Sequence, residues 1–224
     1  MNYTFQFHVV FNQLPEFLHG ALVTLELALA GFWLGAPIAL LLAAARTSGP
    51  TWVRRLTGAY VTFLTNTPVL IHIFFLFYGL PEIGILLDKY TSVVIGLVMA
   101  TSAYGCEIMR AGFLSVRRSE IEAAETLGFS RAQTLWNVIV PHILKTVYPA
   151  LANYFIVLTL STSMAMIVGA EELLGTAFNL ASENYRHLEA FIVAAGLYVI
   201  ITFIASLSLA WFGRWAFRVK AKIF

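Results

Sequence analysis

Three ionisable side chains, Glu26, His72 and Glu107, stand inside long apolar runs of the sequence. Ionisable groups are costly in such surroundings, so they are candidates for binding a polar molecule or for pairing with a neighbour. Glu107 and Arg110 are three residues apart, which on a helix places them on one face, and this spacing favours an ion pair. Glu26 stands near one end of its run, where we expect its carboxylate to reach water.

His72 follows shortly after the polar sequence Asn66-Thr67-Pro68, which interrupts an apolar run. Pro68 removes one backbone donor and leaves a carbonyl oxygen without its helical partner. Irregular backbone inside an apolar environment is tolerated where it is buried in protein or lines a cavity. We therefore treat Asn66, Thr67 and His72 as candidates for lining a solute pathway. The competing interpretation of His72, a hydrogen bond to a neighbouring helix, is the more common role of such a residue.

Three consecutive hydroxyl side chains, Ser161, Thr162 and Ser163, stand in the middle of a later apolar run. Small hydroxyls allow helices to pack closely, and they also offer hydrogen bonds to a polar solute. Both interpretations stay open, and the three residues join the pathway candidates.

The sequence predicts no catalytic residue and no metal site. Catalysis inside an apolar run needs a nucleophile beside a base, or a metal cluster. Cys106 is the one cysteine of the chain, and it stands on a different run from His72, with no third partner evident. An intramembrane enzyme is therefore the alternative from a different functional class. No Gly-x-x-x-x-Gly-Lys-Ser/Thr loop occurs, so any ATP hydrolysis must come from another chain.

The composition indicates that these residues are positioned by helices inside a lipid bilayer. The chain has 224 residues, of which 59% are hydrophobic and 12% charged, against about 25% charged residues in soluble domains. A helix that crosses a bilayer needs about 20 mostly apolar residues. Five runs meet this length, at residues 20–45, 59–80, 92–113, 143–170 and 190–212. We therefore predict an all-α integral membrane protein with five transmembrane helices in one domain, residues 1–224.

The charges between the runs alternate in sign. Twelve of the 14 Lys and Arg residues lie after the first, third and fifth runs or at the ends of the third and fourth. The other two, Lys89 and Arg186, share their loops with six acidic residues, and Glu16 adds a seventh in the segment before the first run. Because cytoplasmic loops carry the excess of basic residues, we expect the N-terminus outside and the C-terminus in the cytoplasm. The acidic residues between 171 and 189 are candidates for docking an outer partner, or simply a solvated loop.

The loop at residues 118–141, on the basic side, has two helix-capping patterns. Ser119 with Glu122, and Ser130 with Gln133, each have the spacing of a capping box. The loop is therefore predicted to hold two short helices. They form either a rigid docking element or a plain connection between two spans, and the capping residues alone do not decide between these.

Three further features of this loop concern its ends and its surface. Gly128 stands where a left-handed helix end favours glycine. Pro141 disfavours a helical conformation at Val140, so we predict that the second helix ends there. Ala123 and Ala124 place small side chains on the first helix, where they allow another surface to approach closely.

The same loop resembles the EAA loop of bacterial ABC-importer permeases. Glu122-Ala123-Ala124 is followed after three residues by Gly128, and after nine more by Val138-x-Val140-Pro141. Further segments are similar to polar amino acid permeases: Thr24-Leu25-x-Leu27, Thr67-Pro68, Tyr78-Gly79-Leu80-Pro81, Tyr104, Glu107, Arg110, Thr162-Ser163, Val168-Gly169 and Glu172-Leu173. The chain thus resembles the transmembrane subunit of a polar amino acid ABC importer of the histidine/glutamine/arginine type.

This resemblance implies a type I ABC importer permease fold in the bacterial cytoplasmic (inner) membrane. Glu122, Ala123, Ala124 and Gly128 would belong to a coupling helix that inserts into a groove of an ATPase, and Glu107 would lie near the solute pathway. The implied partners are an ABC ATPase dimer that binds ATP and Mg, a second permease subunit (the same or a homologous chain) and a periplasmic or lipid-anchored solute-binding protein. We expect no cofactor in this chain and no nucleic-acid partner.

Two departures from the family pattern remove charge from the spans. The family usually has Lys-Asp before Thr162-Ser163, where this chain has Leu160-Ser161. It commonly has Arg-Gly before Thr67-Pro68, where this chain has Thr65-Asn66. We expect either a less charged or bulkier solute, such as an opine or an amide, or a solute site carried by the second permease. A permease for another class, such as an inorganic anion or a metal complex, is the alternative.

Overall fold

The computed structural model describes residues 3–217, and within them all regular secondary structure is helical. The α-helices are α1 (Phe7–Phe11), α2 (Leu14–Ser48), α3 (Thr51–Thr65), α4 (Val69–Phe74), α5 (Lys89–Ser115), α6 (Arg118–Thr126), α7 (Arg131–Thr134), α8 (Val140–Ser161), α9 (Leu173–Asn184) and α10 (His187–Phe217). The π-helices Phe75–Gly79 and Leu135–Ile139 and the 3₁₀-helices Leu80–Ile83 and Thr162–Val168 join some of these elements.

Four helical segments of the described chain are long and apolar enough to cross a membrane. They are Leu14–Ser48, Lys89–Ser115, Arg131–Val168 and His187–Phe217. The pair Thr51–Thr65 and Val69–Ile83 passes the same test only jointly, and counted as one broken span it raises the number to five. The predicted all-helical membrane fold is confirmed, with four or five spans.

The break in this pair follows from Asn66 and Pro68. Pro68 is extended, with φ −57° and ψ 139°, and no side chain caps the start of α4 behind it. The Asn66 side-chain amide turns back and donates to the Thr62 carbonyl at 2.8 Å, and the Asn66 backbone amide donates to the same oxygen at 3.2 Å, at the end of α3. The proline and the asparagine together therefore end one helix and begin the next.

The prediction that the loop's second helix ends at Pro141 is wrong. Val140 is helical, with φ −61° and ψ −47°, and the chain continues without interruption into α8. The π-helix Leu135–Ile139 lies directly before the proline. A π turn widens the helix, which makes room for the ring and spares the hydrogen bond that Pro141 cannot donate.

The described chain forms two compact units. The first holds residues 3–33, 67–98 and 155–205, and the second holds residues 34–66, 99–154 and 206–217. The core of the first unit joins α2, α9 and α10 through Phe17 and the buried alanines Ala177, Ala181, Ala190 and Ala194. Small side chains of this kind let helices in a membrane protein pack closely.

In the second unit, α5 and α8 pack closely where α5 has a glycine. A Cβ atom at Gly112 would lie 2.6 Å from Val147 Cγ1 and 2.8 Å from Ile143 Cγ2, closer than real side chains approach. Glycine is therefore required at this position by the packing of the two helices.

Candidate functional site

The first helix of the loop, α6, begins at Arg118 and is not capped by a side chain. Arg117 is its N-cap residue, so Ser119 lies inside the first turn and the predicted Ser119–Glu122 capping box is wrong. Glu122 instead accepts a hydrogen bond from Arg118 Nε at 2.8 Å. Both side chains are largely exposed, so this ion pair adds little to stability.

The end of α6 is a Schellman motif, as the position of Gly128 predicts. Gly128 has φ +77°, and its amide donates to the Glu125 carbonyl at 2.9 Å. The Phe129 amide donates to the Ala124 carbonyl at 3.0 Å. A Cβ atom at Gly128 would contact nothing within 4 Å, so its backbone conformation, and not lack of space, requires glycine.

The second helix, α7, starts with the predicted Ser130–Gln133 capping box. The Gln133 side chain accepts from the Ser130 amide at 2.8 Å, and the Ser130 hydroxyl accepts from the Gln133 amide at 3.3 Å. This prediction is confirmed. The turn between α6 and α7 is therefore stabilised on both sides of Gly128.

His142 holds the loop against the helices next to it. Its Nδ1 lies 3.3 Å from Glu120 Oε2 on α6, and its Nε2 lies 3.3 Å from Ser115 Oγ at the end of α5. Because His142 itself stands on α8, one imidazole connects three helices. No sequence pattern indicates His142, since its two partners are 22 and 27 positions away.

The two alanines of the loop have different surroundings. Ala124 is buried within the chain at 3% exposure, whereas Ala123 is exposed. Of the two, only Ala123 is therefore available to a partner. The prediction that both alanines form one small exposed patch is wrong for Ala124. Leu127 is 75% exposed and Phe129 is 38% exposed. We call the exposed side chains of Glu122, Ala123, Leu127 and Phe129 the loop surface.

The predicted pair of Glu107 and Arg110 is present. Glu107 Oε2 accepts from Arg110 Nε at 3.0 Å and from Nη2 at 2.8 Å. Its other oxygen accepts from Arg46 of α2, a partner that no local spacing could indicate. Glu107 is thus held between two guanidinium groups and has no unpaired oxygen.

His72 is buried at 5% exposure, and neither ring nitrogen has a hydrogen-bond partner among residues 3–217. The interpretation that it bonds to a neighbouring helix is therefore wrong. A buried polar group without a hydrogen-bond partner costs folding free energy, so its presence indicates a structural or functional role. His72 stands on α4, which packs against the 3₁₀-helix Thr162–Val168 in the same unit.

The hydroxyl run adjoins this 3₁₀-helix. Ser161, Thr162 and Ser163 each donate to a backbone carbonyl three or four residues earlier, at 2.7–2.8 Å. Thr162 is fully buried, whereas Ser161 and Ser163 are half-buried. The structure thus brings His72 and the hydroxyl run to adjacent elements of the first unit.

The second unit contains a group of polar aromatic contacts near Asn66. The Tyr104 hydroxyl donates to the Thr65 carbonyl at 3.0 Å, and the Tyr104 ring stacks on Tyr154 with ring centroids 5.9 Å apart. Asn66 itself is exposed, and Thr67 in the first unit is half-buried. In the sequence, Tyr104 is visible only as part of the family resemblance, and no pattern indicates Tyr154.

A buried carboxylate, Glu172, joins α2, α9 and α10 in the first unit. It caps α9, accepting from the amides of Leu174 at 2.9 Å and Gly175 at 2.8 Å. It also accepts from the Tyr198 hydroxyl at 2.8 Å and from Thr24 Oγ1 at 3.2 Å. Burial raises the pKa of Glu172, and the four donors oppose that rise.

This burial corrects the prediction for the acidic residues between 171 and 189. Glu172 and Glu189 are fully buried, so neither is available for docking a partner. Glu171 and Glu183 are exposed, and together with Glu16 they line a cavity of about 350 Å³. Within residues 3–217, no three His, Cys, Asp or Glu side chains are grouped to hold a metal ion.

Comparison with known proteins relates this chain to one family and to several of its relatives. Residues 35–218 match the family described as binding-protein-dependent transport system inner membrane component. The probable amino-acid ABC transporter permease protein PatM of Vibrio harveyi is 33% identical over 205 residues, which are 88% of this chain and 92% of PatM. The octopine transport system permease protein OccM of Rhizobium radiobacter is 33% identical over 198 residues, which are 84% of this chain and 81% of OccM.

One solved structure supports the same relation at the level of the fold. It is described as an amino acid ABC transporter with histidines, and it is 30% identical to this chain. The two superpose with a TM-score of 0.86, covering 95% of this chain and 99% of the other. The family match at residues 35–218 includes the loop and all the pathway candidates.

Proposed function

Because the chain belongs to the family of binding-protein-dependent transport system inner membrane components, we propose that it moves a polar amino acid or an amino-acid derivative through the membrane. The family matches confirm the resemblance to amino-acid ABC permeases that the loop indicates. The chain is a multi-pass membrane protein and a transport subunit. The relatives named above support the solute class, since one is named for amino acids and one for octopine.

The fixed geometry of the loop is the observation that supports a role in coupling this chain to an ATPase. The Schellman motif at Gly128, the capping box at Ser130 and the His142 contacts hold α6 and α7 together. A plain connection between two spans needs none of these contacts. They favour a rigid element that transmits movement, with Glu122, Ala123 and Gly128 at the contact with an ATPase.

The chain works, in this proposal, with three kinds of partner. An ABC ATPase dimer binds ATP and Mg and hydrolyses ATP, while this chain itself needs no cofactor. A second permease subunit, the same chain or a homologue, completes the pathway. A periplasmic or lipid-anchored binding protein delivers the solute. The family description, which names transport that depends on a binding protein, supports the last of these.

The proposed orientation places the N-terminus outside and the C-terminus in the cytoplasm. The distribution of Lys and Arg over the loops supports it. Of the basic residues after the fifth run, Arg214 is described by the structure, and Arg218, Lys220 and Lys222 lie outside the described residues. In this orientation the loop surface faces the cytoplasm, where an ATPase can reach it.

For the solute pathway we keep all the candidate residues that the sequence indicates. His72 has the strongest physical support, because its two ring nitrogens are buried and without partners among residues 3–217. Glu107 already accepts from two arginines, so it has little capacity left for a cationic solute. This agrees with a solute of low net charge. The full set of candidates is Asn66, Thr67, His72, Glu107, Ser161, Thr162 and Ser163.

Copurification of the ATPase tests the coupling role, with two glycine variants that differ only in their location. Gly128 and Gly84 both have positive φ, +77° and +83°, and a Cβ atom at either would meet nothing within 4 Å. The two changes to alanine therefore impose the same kind of backbone strain. We expect Gly128→Ala to reduce the amount of ATPase that copurifies, and Gly84→Ala to leave it unchanged. Equal recovery from both variants would contradict the coupling role of the loop.

A further inference from the structure

Four arginines line one cavity of about 450 Å³ in the second unit. The lining consists of Arg46, Arg54, Arg55 and Arg110 together with Thr51. Arg46 and Arg110 share the single carboxylate of Glu107. In the part of the chain that the structure describes, neither Arg54 nor Arg55 forms an ion pair. The group therefore carries an excess of positive charge that the described residues do not neutralise.

The start of α3 adds to this positive potential. Thr51 is its first residue, Pro50 precedes it, and no side chain caps this end of the helix. The first turn holds no acidic residue, although the positive end of the helix dipole favours one. Uncapped amides and guanidinium groups thus lie together, and an anion between them would lower the repulsion between the like charges.

The side chains next to the cavity indicate the source of that anion. Trp52 and Leu56 of α3 are 66% and 63% exposed, and they stand among Thr51, Arg54 and Arg55. Tryptophan in a membrane protein is enriched at the level of the lipid headgroups. Basic pockets between transmembrane helices bind phosphate-bearing headgroups, while exposed apolar side chains contact the acyl chains.

We propose that the cavity lined by Arg46, Thr51, Arg54, Arg55 and Arg110 binds the phosphate group of an anionic phospholipid. Arg54 and Arg55 contact the headgroup directly, because the guanidinium fork can donate two parallel hydrogen bonds to phosphate. Arg46 and Arg110 contribute charge while they stay bound to Glu107. The lipid thereby connects α2, α3 and α5 at this end of the second unit.

The test measures lipid binding to the full-length chain in detergent by native mass spectrometry, with phosphatidylglycerol and phosphatidylcholine as the two lipids. It needs neither ATPase nor solute, so its result does not depend on the transport proposal. We expect the chain to retain phosphatidylglycerol in preference to phosphatidylcholine. The double variant Arg54→Gln/Arg55→Gln should weaken phosphatidylglycerol binding by about tenfold or more, since each arginine near a headgroup contributes severalfold.

Two further variants control for charge and for folding. Lys145→Gln/Arg214→Gln removes the same charge from two exposed positions that do not line the cavity, and it should leave binding nearly unchanged. Arg54→Lys/Arg55→Lys keeps the charge and should keep most of the binding. Thermal unfolding of all variants shows whether each is folded.

Two results would overturn the proposal. Equal weakening in the cavity variant and in the Lys145/Arg214 control would show that surface charge in general attracts the lipid. Retention of inorganic phosphate by the delipidated chain, with no preference between the two lipids, would place a free phosphate in the cavity and not a lipid headgroup.

Discussion

At the scale of single residues, Glu172 combines full burial with four hydrogen bonds to its carboxylate. Both carboxylate oxygens are used, by two amides of α9 and by the hydroxyls of Tyr198 and Thr24. The Thr24 hydroxyl oxygen accepts in turn from the Leu173 amide at 3.1 Å. One buried carboxylate therefore connects three helices, and each bond depends on the others.

The pKa of Glu172 leads to a prediction about stability and pH. Burial raises this pKa above its ordinary value of 4.5. Between the two values the folded state binds more protons than the unfolded state, so its stability falls as the pH rises through this range. In Glu172→Gln that pH dependence is absent, although the variant is less stable overall because it loses an acceptor. We expect the difference in unfolding temperature between wild type and variant to shrink from pH 4 to pH 8.

Glu171→Gln is the matched control for this measurement. Glu171 is the adjacent residue, and its side chain is 61% exposed, with only a 3.6 Å contact to Lys89. An exposed pair of this kind contributes little to stability, so this variant should follow the wild type at both pH values. A difference between wild type and Glu172→Gln that grows towards pH 8 would contradict the assignment.

The residue contacts show which parts of the site a sequence can reveal. The pairing of Glu107 with Arg110 was predictable because both residues lie on one helix turn. The second partner, Arg46, lies 61 positions away, and only the packing of α2 against α5 brings it close. His72 illustrates the same limit, since the sequence indicates a polar residue in an apolar run but not whether a partner reaches it.

At the scale of elements, the loop offers two capping patterns that look alike in the sequence and differ in the structure. Ser130 caps α7 through the Gln133 amide at 3.3 Å, whereas Ser119 lies inside α6 and caps nothing. Ser130→Ala should therefore cost about 1 kcal/mol of local stability, and Ser119→Ala a few tenths at most. Hydrogen exchange at the Gln133 amide measures this directly, with faster exchange expected in the first variant only. Equal exchange in both would contradict the structural difference.

The start of α6 explains why the sequence failed there. A capping box is recognised by a spacing of three residues, and this spacing says nothing of the frame in which the helix begins. Arg117 is extended, with φ −72° and ψ 137°, and the helix starts directly after it at Arg118. A helix capped by Ser119 would have to start two residues later. The predicted helix end at Pro141 was wrong for a related reason: the proline alone does not reveal that a π-helix before it accommodates the ring. The predicted helix end at Gly128 was confirmed, because this turn needs a residue in the left-handed conformation, which glycine adopts readily.

At the scale of the whole molecule, composition and run length were enough to predict a helical membrane protein. Composition and run length reflect the lipid environment and do not require knowledge of how the helices pack, because a bilayer allows few alternatives to an apolar helix. The interruption at Asn66 and Pro68 was also visible in the sequence. The division of the chain into two units was not, since each of α2, α5, α8 and α10 contributes residues to both.

The orientation of the molecule yields a prediction that uses two exposed loop residues. Leu86 is 82% exposed in the loop before α5, and Leu127 is 75% exposed on the loop surface. In a Cys106→Ala background, Leu86→Cys and Leu127→Cys each place one thiol in one of these loops. Twelve of the 14 basic residues lie in the loops on the Leu127 side or at the span ends that adjoin them, so that side should face the cytoplasm. A membrane-impermeant maleimide should label Leu86→Cys in intact cells, and Leu127→Cys only after the membrane is opened. Labelling of Leu127→Cys in intact cells would reverse the orientation and place the loop surface beyond the reach of a cytoplasmic ATPase.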